Sequence, residues 1–192
     1  MTKLSKGKII IIVAPSGTGK STIIKDVMKE IPDLQESVSC TTRKIREGEK
    51  DGEDYFFLPE EEFIQRKDND DFLEWAKVHQ NYYGTSKSLV SQKLDSGVDL
   101  LFDLDTQGVD SLKNCFGADA NVIFIAPPSF EELERRLTSR GTESADSLKI
   151  RLNNAKNELK RKDDYDFCVI NDDLEVATAE IVSLINKIIA EK

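Results

Sequence analysis

The chain has 192 residues, enough for one α/β domain with a substantial core and small inserted lobes. Its 36 acidic and 27 basic residues give a formal charge of −9, which disfavours nonspecific binding to nucleic acid or to an anionic membrane. The longest apolar run, residues 9–14, is too short to cross a bilayer, and the chain begins without the apolar segment of a signal peptide. We therefore expect a cytoplasmic protein.

The first predicted element is a strand. Residues 9–13 form an unbroken β-branched run, which is typical of a strand buried on both faces. A glycine-containing loop follows at residues 14–22, and the spacing of the next apolar residues predicts a helix that Pro32 ends. Strand, glycine loop and helix in this order suit a phosphate site, because glycine N–H groups can turn inward and the helix N-terminus carries partial positive charge.

The loop is expected to bind the phosphates of a nucleotide. Lys20 can neutralise the β- and γ-phosphates, and the Ser21 hydroxyl can ligate Mg²⁺. The usual pattern begins with glycine, whereas position 14 is alanine, so the alternative is a glycine-rich turn that only feeds a helix. The residues predicted to surround the phosphates are Ser16, Gly17, Thr18, Gly19, Lys20, Ser21 and Thr22.

Residues 31–83 depart from simple alternation of strands and helices. Short β-prone pieces separated by Gly48 and Gly52 predict a small antiparallel lobe inserted after the first helix. The same segment predicts two short helices, at residues 60–67 and 70–76.

Cations and hydroxyls concentrate in residues 42–55 of this lobe. Arg43 and Arg46 could each fork onto phosphate oxygens, and the Tyr55 hydroxyl could add a further donor. Acidic residues crowd the same stretch, and charge counting alone favours a solvated charged loop. Both interpretations remain open at this point.

The second half of the chain returns to alternation. In order, it predicts a helix over residues 86–96, a strand over 98–104, a strand over 121–126, a helix behind a capping box at Ser129 and Glu132, a helix from about residue 144, a strand over 167–170 and a helix over 176–189. This alternation indicates an α/β fold with a parallel sheet covered by helices on both faces. Ligands bind such sheets at the carboxyl ends of the strands, where the glycine loop, Asp103, Asp105 and Asn171 all fall.

Asp103 closes an apolar strand, the position from which a nucleotide kinase holds Mg²⁺ directly or through water. The alternative is an aspartate that caps the next helix. Asp105 lies two residues further on and would face a second substrate if the strand continued. The three cysteines, Cys40, Cys115 and Cys168, are widely spaced without a histidine cluster, so we expect packing residues and neither a disulfide framework nor a zinc site.

Seven motifs occur in one order along the chain. They are the loop at residues 15–22, Ser37-Val38-Ser39-x-Thr41-Thr42-Arg43-x-x-Arg46-x-Gly48-Glu49, Tyr82-Tyr83-Gly84-Thr85, Asp103-x-Asp105-x-Gln107-Gly108, Ala126-Pro127-Pro128-Ser129, Arg140-Gly141-Thr142-Glu143 and Asn171-Asp172-Asp173. In these motifs the chain resembles the guanylate kinases over nearly its whole length. Departures are Ala14 in the loop, Cys40 where a hydroxyl or histidine is common, and Thr85 where some members have serine.

The resemblance implies a P-loop NTPase-type sheet with two additions. Residues 1–33, 87–126 and 158–192 would form the core, residues 34–86 a GMP-binding lobe, and residues 127–157 a helical lid. The implied reaction is Mg²⁺-dependent transfer of the γ-phosphoryl group of ATP to GMP or dGMP, giving ADP and GDP or dGDP. No nucleic acid or membrane partner is implied.

The resemblance also assigns residues by position. The phosphate of GMP would be bound by Arg43, Arg46, Tyr55 and Tyr83, and its base by Ser39, Glu74, Thr85 and Asp105. The catalytic residues would be Lys20, Arg46, Arg140 and Arg151. Asn171 with Asp172 would contact the adenine side of ATP, and Ser21 with Asp103 would hold the metal ion.

The hydrogen-bond donors of guanine explain the base-binding role that the resemblance implies for Glu74. Guanine presents N–H donors beside an acceptor oxygen, so a carboxylate opposite the donors fits guanine and mismatches adenine. Trp75 is expected to pack beneath the lobe, and the single histidine, His79, has no predicted catalytic role. Two rival functions remain, namely a non-catalytic guanylate-kinase-like binding module and a kinase for another nucleoside monophosphate.

Overall fold

The structure is a computed structural model that describes residues 6–139 and 145–191. Its strands are β1 (Ile9–Val13), β2 (Gln35–Glu36), β3 (Cys40–Thr41), β4 (Phe56–Phe57), β5 (Phe72–Val78), β6 (Asn81–Ser86), β7 (Leu100–Leu104), β8 (Ala120–Ala126) and β9 (Phe167–Ile170). Its helices are α1 (Lys20–Glu30), α2 (Glu60–Asp68), α3 (Lys87–Asp95), α4 (Thr106–Phe116), α5 (Phe130–Ser139), α6 (Ala145–Leu159) and α7 (Leu174–Ala190).

The larger sheet is parallel throughout, with the strand order β2-β7-β1-β8-β9. All five side chains of β1 are at most 1% exposed, as the β-branched run predicts for a central strand. Ile10 and Ile12 pack toward α1 and α7 on one face, while Phe102 and Phe124 belong to the core on the other. The predicted α/β fold with a helix-covered parallel sheet is therefore confirmed.

The smaller sheet has the order β4-β3-β6-β5. Its β3–β6 and β5–β6 pairs are antiparallel as predicted, but β3 and β4 run parallel to each other. Strand β2, within residues 34–86, pairs with β7 of the larger sheet. The inserted lobe thus leaves the larger sheet after Glu36 and returns to it through α3.

The predicted helix at residues 70–76 is wrong, because this segment is strand β5. Pairing with β6 shifts register between Phe72 and Glu74, so Phe72 and Leu73 are both buried and the strand lacks a clean alternation of apolar and polar residues. The stacking of Phe72 on Phe63 of α2, with ring centroids 4.2 Å apart, supplies a contact that no local pattern reveals. Trp75 does not pack beneath the lobe, since it is 49% exposed.

Helices α5 and α6 pack against each other through Leu133, Leu137 and Ala155. The Ser129 hydroxyl caps α5 by accepting a hydrogen bond from the Glu132 N–H at 3.1 Å. The second half of the predicted capping box is absent, because the Glu132 carboxylate instead accepts hydrogen bonds from Arg135 and Arg136. The predicted Arg140-Gly141-Thr142-Glu143 motif lies outside the described residues.

Cys40 is fully buried in the smaller lobe, and burial raises the pKa of its thiol to about 11. Cys115 and Cys168 are exposed, so the expectation that all three cysteines are packing residues holds for Cys40 alone. Across residues 6–139 and 145–191, no helix combines the length and apolar character needed to span a membrane.

Candidate functional site

The loop between β1 and α1 has a shape that only glycine allows at two positions. Gly17 and Gly19 have φ angles of 92° and 88°, in the left-handed region that L side chains rarely adopt. A Cβ at Gly17 would also lie 2.8 Å from the Leu137 side chain on α5. The loop lines an open cavity of about 350 Å³ at the N-terminus of α1, and Glu158 of α6 contributes to the same lining.

Lys20 reaches across the carboxyl end of the sheet to β7. Its ammonium group lies 2.5 Å from the Asp103 carboxylate and donates a hydrogen bond to the Leu104 carbonyl at 3.0 Å. The predicted phosphate-binding lysine and the predicted metal-binding carboxylate are therefore adjacent. The Ser21 side chain is exposed in the first turn of α1, on the lining of the same cavity.

Alanine at position 14 is accommodated without strain. Among the described residues, the non-glycines with positive φ are Asp70 and His79, so Ala14 has an ordinary φ. Its methyl group is half-buried and packs against the core cluster that contains Ile10 and Ile12. The departure from glycine therefore contributes packing and requires no special backbone angle.

We expect Ala14→Gly to change the KM for ATP by less than about twofold and to lower the free energy of unfolding by roughly 0.4–1 kcal/mol, because glycine gives the unfolded chain more conformational freedom. Urea denaturation and steady-state kinetics on the same preparations measure the two effects. A several-fold stronger binding of ATP to the glycine variant would mean instead that the methyl group obstructs the loop.

Asp103 on β7 and Asp105 just beyond its end have different environments. The strand ends at Leu104, so Asp105 does not continue it as the alternation of side chains assumed. The Asp105 carboxylate caps α4 by accepting hydrogen bonds from the N–H groups of Gln107 and Gly108 at 3.0 and 2.8 Å. The helix-capping alternative thus applies to Asp105, whereas Asp103 remains beside Lys20.

A second cavity, of about 570 Å³, opens between the smaller sheet and α4. Four of the residues predicted to bind GMP line it, namely Ser39, Glu74, Tyr83 and Asp105. Burial raises the pKa of Glu74, the neighbouring Asp105 raises it further, and a hydrogen bond with Thr85 lowers it in part. Gly108 allows this approach, because a Cβ there would lie 3.2 Å from a carboxylate oxygen of Glu74.

Arg43, Tyr55 and Tyr83 form a compact group at one side of this lobe. The Arg43 guanidinium lies 5.5 Å from the centre of the Tyr55 ring, and the two tyrosine rings are 6.0 Å apart in an edge-to-face arrangement. A hydrogen bond with Tyr83 adds to the interactions that raise the pKa of Arg43, the largest of which is with Glu49. Arg46, the fourth predicted phosphate ligand, is exposed.

Two acidic residues of the site were given no role by the sequence. Glu49 accepts two hydrogen bonds from the Arg43 guanidinium, at 2.7 and 3.1 Å, and one from the Arg46 N–H at 2.8 Å. These contacts hold the pKa of Glu49 below its usual value. The one sequence signal for Glu49 was its place in the Gly48-Glu49 motif. Glu158 had no signal, because only the docking of α6 brings it to the phosphate loop.

Arg151 lies on α6, seven residues before Glu158. Seven residues are almost two full turns, so both side chains start from the same face of the helix about 10 Å apart along its axis. Arg151 is half-buried. Arg140, the other predicted catalytic arginine of the lid, falls among the residues that the structure does not describe.

Asn171 and Asp172 follow β9 at the carboxyl edge of the sheet. The Asn171 side chain is 4% exposed and donates a hydrogen bond to the Thr18 carbonyl at 2.6 Å. Arg136 of α5 donates hydrogen bonds to the main-chain carbonyls of Asn171 and Asp172, at 3.0 and 3.5 Å. Asn171 is thus in contact with the phosphate loop, while the Asp172 side chain is exposed.

Comparisons with known proteins find similar sequences that cover the residues of both cavities. A family model described as Guanylate kinase matches residues 6–188. The guanylate kinase of Thermotoga maritima is 44% identical over 180 residues, which cover 94% of this chain and 86% of the relative. The guanylate kinase of Chlorobaculum tepidum is 47% identical over 171 residues, covering 89% of this chain and 88% of the relative.

A crystal structure of guanylate kinase from Anaplasma phagocytophilum aligns with a TM-score of 0.66 and 31% identity, covering 95% of this chain and 86% of that one. The range matched by the family model contains every residue named above in the two cavities.

Proposed function

Because the chain belongs to the guanylate kinase family, we propose that it transfers the γ-phosphoryl group of ATP to GMP or dGMP, with Mg²⁺ bound among the phosphates. The observation that carries this proposal is the position of the two cavities. Lys20 of the phosphate loop contacts Asp103 on β7, and the carboxylate-lined cavity includes Asp105, two residues further along the chain. Two nucleotides bound there would meet with their phosphates between them. The site of action would be the cytoplasm, where both nucleotides are available.

On the ATP side, the loop N–H groups and the N-terminus of α1 would bind the phosphate oxygens. Lys20 forms an ion pair with Asp103 in the structure, so this ion pair must break before the Lys20 ammonium group can bind a phosphate of ATP. That exchange of partners releases the Asp103 carboxylate. The remaining predicted contacts, the hydroxyls of Ser16, Ser21 and Thr22, are exposed at the mouth of the loop.

The oxygen donors beside the loop fit Mg²⁺. Among residues 6–139 and 145–191, no three His, Cys, Asp or Glu side chains converge to hold a metal ion by themselves. Mg²⁺ typically uses one or two protein oxygens together with substrate phosphates and water, which matches the Ser21 hydroxyl and the Asp103 carboxylate. When bound, the ion would neutralise charge that develops on the phosphates during transfer.

On the GMP side, the half-buried Glu74 carboxylate would accept hydrogen bonds from the N–H groups of guanine, with Ser39, Thr85 and Asp105 completing the base site. Arg43, Tyr55 and Tyr83 would bind the phosphate, and their grouping supports this assignment. Arg46 would reach the same phosphate from its exposed position. Residues 34–86 would serve as the GMP-binding lobe, residues 127–157 as the lid, and the remaining ranges as the core.

Phosphoryl transfer needs in-line positioning and charge neutralisation and no covalent intermediate on the protein. Lys20 and Arg46 would hold the two nucleotide tails, and Arg140 and Arg151 would approach with the lid. Closing the lid would also exclude water, which protects the γ-phosphoryl group from hydrolysis.

We expect Arg140→Ala to lower kcat by about 10²–10³-fold, because one positive charge aimed at the transition state is lost, while the dissociation constants of GMP and ATP change little. Rapid-quench kinetics and equilibrium binding separate the two effects. Arg135→Ala serves as the control, since Arg135 is exposed and paired with Glu132. Undiminished turnover in the Arg140 variant would remove this arginine from the mechanism.

The decisive test is a coupled ADP-release assay with Mg²⁺, ATP and, in turn, GMP, dGMP, AMP, UMP and dTMP. We expect turnover with GMP and dGMP only. Rapid turnover of a different monophosphate would support the rival kinase, and binding without any turnover would support the non-catalytic module. Lys20, Ser21 and the lid arginines all favour an enzyme over that module, because a module that only binds peptides has no use for a phosphate loop.

A further inference from the structure

The Asn171 side chain is buried and forms a hydrogen bond inside the protein. Its amide nitrogen donates to the Thr18 carbonyl at 2.6 Å, across 153 residues of sequence, and the side chain is 4% exposed. The Asn171 main-chain N–H donates to the Ala126 carbonyl at 2.7 Å, and its main-chain carbonyl accepts from Arg136. Asn171 is therefore fixed to the sheet, to the lid helix α5 and to the phosphate loop.

The hydrogen bond from Asn171 to the Thr18 carbonyl is linked to the direction in which the Gly19 N–H points. In a trans peptide, the C=O and N–H groups point in opposite directions within one plane. Since the Thr18 carbonyl points to Asn171, the Gly19 N–H of the same peptide must point away from Asn171. Gly19 lines the phosphate cavity, and its N–H has no hydrogen-bond partner within the described parts of the chain.

Further contacts also restrict the positions of Thr18 and Gly19. Thr18 is fully buried, and its hydroxyl donates to the Pro15 carbonyl at 2.8 Å. Gly19 adopts a φ of 88°, and a Cβ there would lie 3.0 Å from the Asn171 amide nitrogen. A peptide next to a glycine can rotate at little cost, and the Asn171 hydrogen bond is made to the carbonyl of this peptide itself.

We infer that Asn171 is a positioning residue of the phosphate loop, whose side-chain amide orients the Thr18–Gly19 peptide so that the Gly19 N–H faces the phosphates of ATP. This inference rests on the proposed function for the identity of the ligand. It differs from the role that the resemblance gave to Asn171, in which the residue contacts the adenine side. The two roles predict different responses to a ligand that has phosphates but no base.

The test uses the full chain and two ligands, ATP and inorganic tripolyphosphate, each with Mg²⁺. Binding is measured by calorimetry for the wild type, Asn171→Ala and Asn171→Leu. The leucine variant keeps the approximate shape of the side chain and removes the donor without adding a charge. For the alanine variant we expect both dissociation constants to rise by the same factor, roughly tenfold, because one oriented donor is lost from the phosphate site. GMP binding should stay within about twofold of the wild type.

Asn114→Ala is the matched control, since Asn114 is exposed on α4. Thermal melting of each variant checks that it is folded, and the leucine variant supplies the comparison if the alanine variant is not. Weaker ATP binding with unchanged tripolyphosphate binding in a folded variant would overturn the inference, because the amide would then act on adenine. Unchanged binding of both ligands would also overturn it.

The result of the Asn171 experiment can be distinguished from a failure of the proposed function. Tripolyphosphate binding does not depend on which monophosphate accepts the phosphoryl group. A wild-type chain that binds tripolyphosphate but does not phosphorylate GMP would refute the proposed function and leave the role of Asn171 to be decided by the variants.

Discussion

The variant Lys20→Ala should lower kcat by about 10²–10³-fold and raise the KM for ATP, while the KM for GMP changes less than about threefold. Lys20 is the one side chain of the loop with a full positive charge, and such a charge, held in place before the reaction, stabilises the transition state more than the ground state. Its removal also leaves Asp103 without the ammonium group 2.5 Å away, so the site gains an uncompensated carboxylate beside the phosphates. Steady-state kinetics with each substrate varied in turn measures all three parameters.

The matched control for this prediction is Lys25→Ala, because Lys25 belongs to the same helix and is exposed. It should retain wild-type kinetics. If the Lys20 variant kept more than a tenth of the wild-type kcat, Lys20 would not be a main source of transition-state stabilisation, and the phosphate loop would need another source of positive charge.

Glu74→Gln is expected to lower kcat/KM for GMP by roughly 5–150-fold, with the KM for ATP unchanged. The carboxylate can accept from both N–H groups of the guanine edge, whereas glutamine presents an NH₂ to one of them and leaves a buried donor unpaired, at about 1–3 kcal/mol. Inosine monophosphate lacks the exocyclic amine, so its kcat/KM should fall less. Equal losses for the two monophosphates, or equal rises in the KM values for GMP and ATP, would refute the assignment of Glu74 to the base. Glu61→Gln, on the exposed face of α2, is the control.

The same substitution should stabilise the protein without ligand at neutral pH. Burial, and then Asp105, raises the pKa of Glu74 above the ordinary value of 4.5, so the folded state favours the protonated carboxyl. The stability from this group is present below pH 4.5 and is lost as the pH rises through the raised pKa. The melting temperature of the glutamine variant should therefore be higher than that of the wild type at pH 7, and the two melting temperatures should become equal near pH 4. A lower melting temperature at pH 7 would contradict this.

Local residue patterns predicted the ATP side of the site. The β-branched run of β1, the left-handed glycines of the loop and the apolar stripe of α1 are adjacent in sequence, and each specifies its own conformation with little help from the rest of the chain. The larger sheet followed from the same kind of signal, because strands alternating with helices leave few arrangements open.

The smaller lobe was harder to predict because its strands are short and depend on partners far away in sequence. Strand β5 looked helical until its pairing with β6 and the stacking of Phe72 on Phe63 are considered. Trp75 lies in the second half of this strand, where all four residues, 75–78, are exposed.

The sequence by itself determined that this protein has a parallel α/β sheet with a phosphate loop at the carboxyl end of its first strand, because those features depend on neighbouring residues. Only the tertiary structure decided that Asp105 caps a helix while Asp103 pairs with Lys20, and that Asn171 meets Thr18. The reason is that hydrogen bonds and ion pairs between distant segments depend on the register and docking of whole elements, which no single stretch of sequence encodes.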